Sequence, residues 1–133
     1  MSPELNKAKS RLIEGEYSFV LINGEEEYVS SSKGIAPIIS LLESSPELLK
    51  GASVADKVIG KAAALLLIYG GVKEIFTEVI SSHGILVLES EKKIIEFEKQ
   101  VQYIVNRAGT GMCPMEKRVL EIDDPTKGYQ ALS

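Results

Sequence analysis

Residues 51–71 read GASVADKVIGKAAALLLIYGG. The run Ala62–Tyr69 is apolar throughout and closed by Gly70-Gly71, far short of the roughly 20 residues that cross a bilayer. It predicts a buried helix rather than a membrane span. Upstream, Ser53 suits an N-cap. Asp56, three residues on, puts a carboxylate where free backbone amides and the positive end of a helix dipole favour it. The whole stretch therefore predicts one central helix opening at Ser53.

On the C-terminal side, VKEIFTEVI is a strand by its branched and aromatic content. SSHGILVLESEKK then starts a helix at Ser81 or Ser82. IIEFEKQVQYIVN returns to strand-like residues, with Glu98-Lys99-Gln100 reading as a turn or short helical interruption. CPMEKRVLEI predicts a last helix with Pro114 in its first turn, and residues 123–133, DDPTKGYQALS, read as a tail with turn chemistry. On the N-terminal side, residues 1–15 hold a short amphipathic helix with Leu5, Ala8 and Leu12 at spacings of three and four. YSFVLINGEEEYVSSS is a β-hairpin about Asn23-Gly24, and KGIAPIISLLESS a helix with Pro37 in its first turn. Strands that alternate with helices give an α/β domain, a mixed sheet covered by helices with the later strands parallel.

The chain has 133 residues, 44% hydrophobic and 26% charged, the balance of a single globular domain spanning 1–133. Nineteen acids against fifteen bases give a net charge of -4, with no basic block to track a phosphate backbone. Polymeric nucleic acid is not an expected partner, nor is a membrane. One cysteine excludes an internal disulfide, and the first residues lack the apolar core of a signal peptide, so the cytoplasm is the expected compartment.

At ADKVIGKAAALLL (55–67), SSHGILVLES (81–90) and TGMCPMEKRVLE (110–121) the chain resembles an uncharacterised prokaryotic family, a domain of unknown function whose fold looks like cytidine deaminase. The likeness runs from about Tyr17 to Ile122. It implies a three-layer α-β-α sandwich with a mixed sheet. In zinc deaminases, a hairpin leads to a helix opening with H-x-E or C-x-E, then a strand, then a helix opening with P-C-x-x-C. Set against that pattern, Asp56-Lys57-Val58 replaces H-x-E and Ser82-His83-Gly84-Ile85-Leu86 stands for P-C-x-x-C. The ligand set is missing, so neither a zinc site nor another cofactor is expected. What the resemblance leaves is a cleft where two helices begin, whose free amides suit an anionic or polar group.

The candidate catalytic residues are Asp56, His83 and Cys113; the candidate ligand-binding residues are Lys57, Gly84, Thr110, Gly111 and Glu116. Asp56 reads as a base or ligand-orienting group, or as a first-turn carboxylate. Lys57 beside it suits a phosphate or a solvated surface. His83, the lone histidine, exchanges protons near neutrality and follows a strand end, where α/β proteins build sites. Gly84 lets a ligand approach the backbone or eases the turn. Cys113 at a helix start reads as a thiol with a lowered pKa or as a small apolar residue. Gly111 adds flexible backbone before that helix, Thr110 caps it or bonds a ligand, and Glu116 is a proton acceptor or a first-turn acid.

Three functions fit: a deaminase-like domain that binds a nucleotide, nucleoside or similar polar metabolite; a thiol enzyme with Cys113 as nucleophile, His83 as base and Asp56 as its orienter; and a homo-oligomeric scaffold.

Overall fold

The computed structural model describes residues 2–105, 109 and 111–133. Its elements are α1 (Pro3–Glu14), β1 (Phe19–Asn23), β2 (Glu26–Ser30), α2 (Ala36–Ser44), β3 (Ser53–Ile59), α3 (Lys61–Gly70), β4 (Glu74–Ser81), α4 (Ser82–Ser90), β5 (Ile94–Val101), α5 (Pro114–Arg118) and α6 (Pro125–Leu132). A 3₁₀ turn, Pro46–Leu48, links α2 to β3. The five strands form one mixed sheet in the order β2-β1-β3-β4-β5. β1 is antiparallel to β2 and β3, while β3, β4 and β5 run parallel through crossover helices α3 and α4. The α/β class and the mixed sheet follow the expectation from sequence.

The stretch 51–71 does not. Its first half is the central strand β3, and the helix begins only at Lys61. Ser53 caps nothing; its hydroxyl donates to Glu74 on the neighbouring strand. Ser53 through Asp56 are all buried, because a central strand covered on both faces shows no apolar-polar alternation. Gly60, in an extended conformation, separates strand from helix.

Three smaller expectations also change. β5 runs without a break through Glu98, Lys99 and Gln100. The last predicted helix shrinks to the five residues of α5. The tail at 123–133 contains α6, which Asp124 caps by accepting from Lys127 N at 2.9 Å and whose first turn holds Pro125. In the hairpin, Asn23 ends β1 and pairs with Glu26, and Gly24 alone takes a positive φ, +62°.

The sheet separates two apolar clusters. On one face α1 sets Leu5, Ala8 and Leu12 on Val20, Ile22, Ala55 and Phe76. On the other, α3 packs Leu65, Leu66 and Leu67 among Phe19, Leu21, Val54 and Ile75, with Val119 and Leu132 from the C-terminal segment. Each fully buried leucine contributes roughly 1.5–3 kcal/mol. Among the described residues no helix is long and apolar enough to cross a membrane.

Candidate functional site

β3 and β4 end side by side, and the turns into α3 and α4 meet there. Gly84, in the first turn of α4, is buried against Gly60: a Cβ added to Gly84 would stand 3.3 Å from the carbonyl carbon and oxygen of Gly60. Gly84 thus serves close packing of two strand-to-helix turns. Its backbone N–H donates to Ser81 Oγ at 3.0 Å, so the start of α4 is capped from within. His83, next to it, is half-buried.

The start of α3 is capped from much farther along the chain. Glu116 of α5 is buried, and its carboxylate accepts from Lys61 N at 2.6 Å and Ala62 N at 2.9 Å. A Cβ on Gly60 would lie 2.1 Å from Glu116 Oε1, which is why this residue has no side chain. The Lys61 ammonium, on a side chain 6% exposed, donates to the Leu120 carbonyl at 3.0 Å and pairs with Asp123 at 2.8 Å. That bond and the lysine's charge hold the Asp123 carboxyl below its ordinary range. Gly60 and Lys61 escaped the reading of the sequence. The signal for them was a Gly-Lys pair between a β-branched run and an apolar run, where a strand turns into a helix.

Asp56 lies on β3 opposite Phe19 of β1 and Thr77 of β4. Its side chain is buried, and its Oδ1 accepts weakly from Val58 N at 3.4 Å. No salt bridge to it forms among the described residues. Burial pushes its carboxyl up to about 8, against the backbone N–H groups of Val58 and Lys57, which pull it down. Thr77, equally buried, turns its own hydroxyl to the Val79 carbonyl at 2.9 Å. Lys57 is exposed, and its backbone N–H donates to the Ser18 carbonyl at 3.1 Å.

Cys113 immediately precedes α5 and is half-buried; its backbone N–H donates to Ile104 O at 2.8 Å, and its thiol caps no helix amide. Gly111 is half-buried with open space beside it. Thr110 lies outside the described residues. The structure thus gathers Gly84 and Glu116 around the β3–α3 turn, with Asp56 on the strand leading into it. No hydrogen bond among the described residues links Asp56, His83 and Cys113. Neither of two surface depressions, of about 400 and 370 Å³, is lined by Asp56, His83 or Cys113: one lies against Tyr69 and Tyr129, the other against Leu86 and Asp123, the partner of Lys61.

The chain is similar to the crystal structure of a DUF1893 family protein, TM1506, from Thermotoga maritima: 26% identity over 99% of this chain and 90% of that one, with a TM-score of 0.89. No curated protein matches it. The model of the same family, described as a domain of unknown function, matches residues 7–133, and by that match the chain belongs to the DUF1893 family.

Proposed function

We propose that the chain binds an uncharged polar molecule of the nucleoside or nucleobase class beside Asp56, on a cytidine-deaminase-like scaffold without zinc chemistry. The observation that carries this reading is Asp56 itself, a buried carboxyl on the central strand with no cation paired to it among the described residues. An unpaired buried acid destabilises a fold, and such groups concentrate where a ligand uses them. Near neutrality this carboxyl holds its proton, so it both donates and accepts a hydrogen bond. That pair of functions complements the adjacent N–H and carbonyl, or amino and ring-nitrogen, edge of a nucleobase.

The helix starts argue against a phosphate as the anchoring group. The amides of Lys61 and Ala62 already hold Glu116, and that of Gly84 holds Ser81. The deaminase-like scaffold is supported by the order of elements: hairpin, helix, strand, helix. With β3 in its place, the helix openings that carry zinc ligands in deaminases correspond here to Ile35-Ala36-Pro37 and Gly60-Lys61-Ala62, one element away from the positions first assigned to Asp56 and His83. Those openings supply no histidine, cysteine or glutamate of their own. Chemistry based on Cys113 has less support, since no hydrogen bond among the described residues ties its thiol to His83.

Thermal shift against a panel of nucleosides and nucleobases near pH 7 tests the proposal, repeated with Asp56→Ala and Cys113→Ala. A ligand at 100 times its Kd adds about 2.7 kcal/mol and raises the melting temperature. Loss of that rise in Asp56→Ala and its persistence in Cys113→Ala is the expected result. A silent panel, or binding indifferent to Asp56, removes the proposal.

A further inference from the structure

Residues 114–132 contribute no strand to the sheet and lie along α3. Val119 and Leu132 are its buried apolar anchors, with Met115 and Ile122 partly buried beside them. Two polar ties, both on the first residues of α3, hold it down. Glu116 accepts from Lys61 N and Ala62 N, and Lys61 Nζ reaches the Leu120 carbonyl and Asp123. These partners stand 54 to 59 residues apart where the pairing is a hydrogen bond, so the ties close long loops.

We infer that residues 114–132 are a strap that closes over the ligand end of β3 and opens as a unit while the sheet stays folded. The inference rests on the reading of Asp56 as a ligand site, because the strap is fastened at Lys61 and Ala62, just past the end of the strand that carries Asp56. Its physical basis is the contrast between two kinds of attachment. β3 is hydrogen-bonded on both sides and buried from Ser53 to Asp56, whereas the strap touches mainly one helix. Its ties are made by charged groups that regain water when it lifts. Local opening at less than the global free energy is the behaviour of such a unit.

Amide exchange of the full chain, without ligand, reads this directly. The amides of Lys61, Ala62, Lys117, Ile122 and Gly128 are compared with those of Val54 and Ala55 in wild type, Glu116→Gln and Lys61→Met. The strap group is expected to exchange faster than the sheet group in wild type and to accelerate together, by about tenfold or more, when either tie is cut. Exchange of both groups at one common rate in all three proteins overturns the strap. So does an effect of Glu116→Gln confined to Lys61 and Ala62. Labelling of Asp56 by a water-soluble carbodiimide with glycinamide, read by mass spectrometry, tests the gating. It should speed up in Glu116→Gln by a similar factor, and unchanged labelling despite faster strap exchange overturns the gate. None of these readouts needs a ligand, so a silent nucleoside panel removes the proposed function and leaves the strap standing or falling on its own.

Discussion

Among the described residues, Asp56 is the one whose chemistry departs furthest from its ordinary behaviour. Its carboxyl is raised from an ordinary 3.8 to about 8 by burial, so the folded chain holds a proton there that the unfolded chain has released. Folding is therefore unopposed by this group below about 3.8, becomes harder as pH rises, and stops worsening above about 8. Asp56→Asn imitates the neutral acid and has nothing to titrate. Wild-type stability should fall relative to Asp56→Asn between those two values by up to about 1.4 kcal/mol per pH unit, measured by urea unfolding across the range. Parallel profiles for the two proteins would show that Asp56 ionises freely. The sequence marked Asp56 as a base or ligand-orienting group or as a first-turn carboxylate, and the second of these fails: a first-turn carboxylate is solvated and charged, whereas the strand buries this one and burial favours its neutral form. Glu116 was marked as an acid of its own helix. Its partner amides lie 54 and 55 residues away, and no local pattern carries that distance.

Among the elements, α1 shows how a buried charge is held when it does have partners. Glu74 on β4 accepts from the hydroxyls of Ser53 on β3 and Ser2 at the start of α1, while Ser2 Oγ also accepts from Leu5 N at 3.1 Å. Burial pushes the Glu74 carboxyl up, but these hydroxyls and the charge of Lys73 outweigh it and leave it below its ordinary 4.5. A lowered carboxyl stabilises the fold above its unfolded value and loses that contribution as pH falls through the folded one. Glu74→Gln should lower stability by about 1–2 kcal/mol at pH 7, with α1 the first element to loosen, and the gap from wild type should close in acid. A gap that persists below the titration of Glu74 would trace the loss to packing. α1 and α4 were legible because Ser2 and Ser81 cap them, α2 because Pro37 and its apolar spacing agree, and β4 by its branched and aromatic content. β3 was not: Ser, Ala, Asp and Lys are poor strand formers, the strand lacks alternation, and a strong helical run follows one glycine later. α6 was hidden by its brevity and by Gly128, whose missing side chain serves contact with Leu65; a Cβ there would lie 3.0 Å from the Leu65 side chain.

At the scale of the molecule, the sheet has two edges, and they are guarded differently. On β2, Glu27 is bridged by Arg11 at 3.1 Å and Lys7 at 3.7 Å, so α1 leans over that margin. β5 has less cover: seven of its eight residues lie outside α1's apolar cluster and the main core, and Ile94 and Phe97 are exposed. Glu96 is bonded by Lys9 at 3.2 Å. Its other protection is charge at Glu98 and Lys99, the residues that also disguised the strand as a turn. An edge strand of this length, open on one side, is a template for another chain, and exposed charges on it oppose that pairing. Glu98→Val with Lys99→Val keeps β propensity and removes both charges. The double variant should associate with rising concentration, seen as growing mass in light scattering after size exclusion, while the wild type changes far less over the same range. Equal behaviour would mean that the ends of the strand, not its charges, keep the edge closed. Strong association of the wild type itself would instead support self-assembly through β5, and the two valines should then strengthen it.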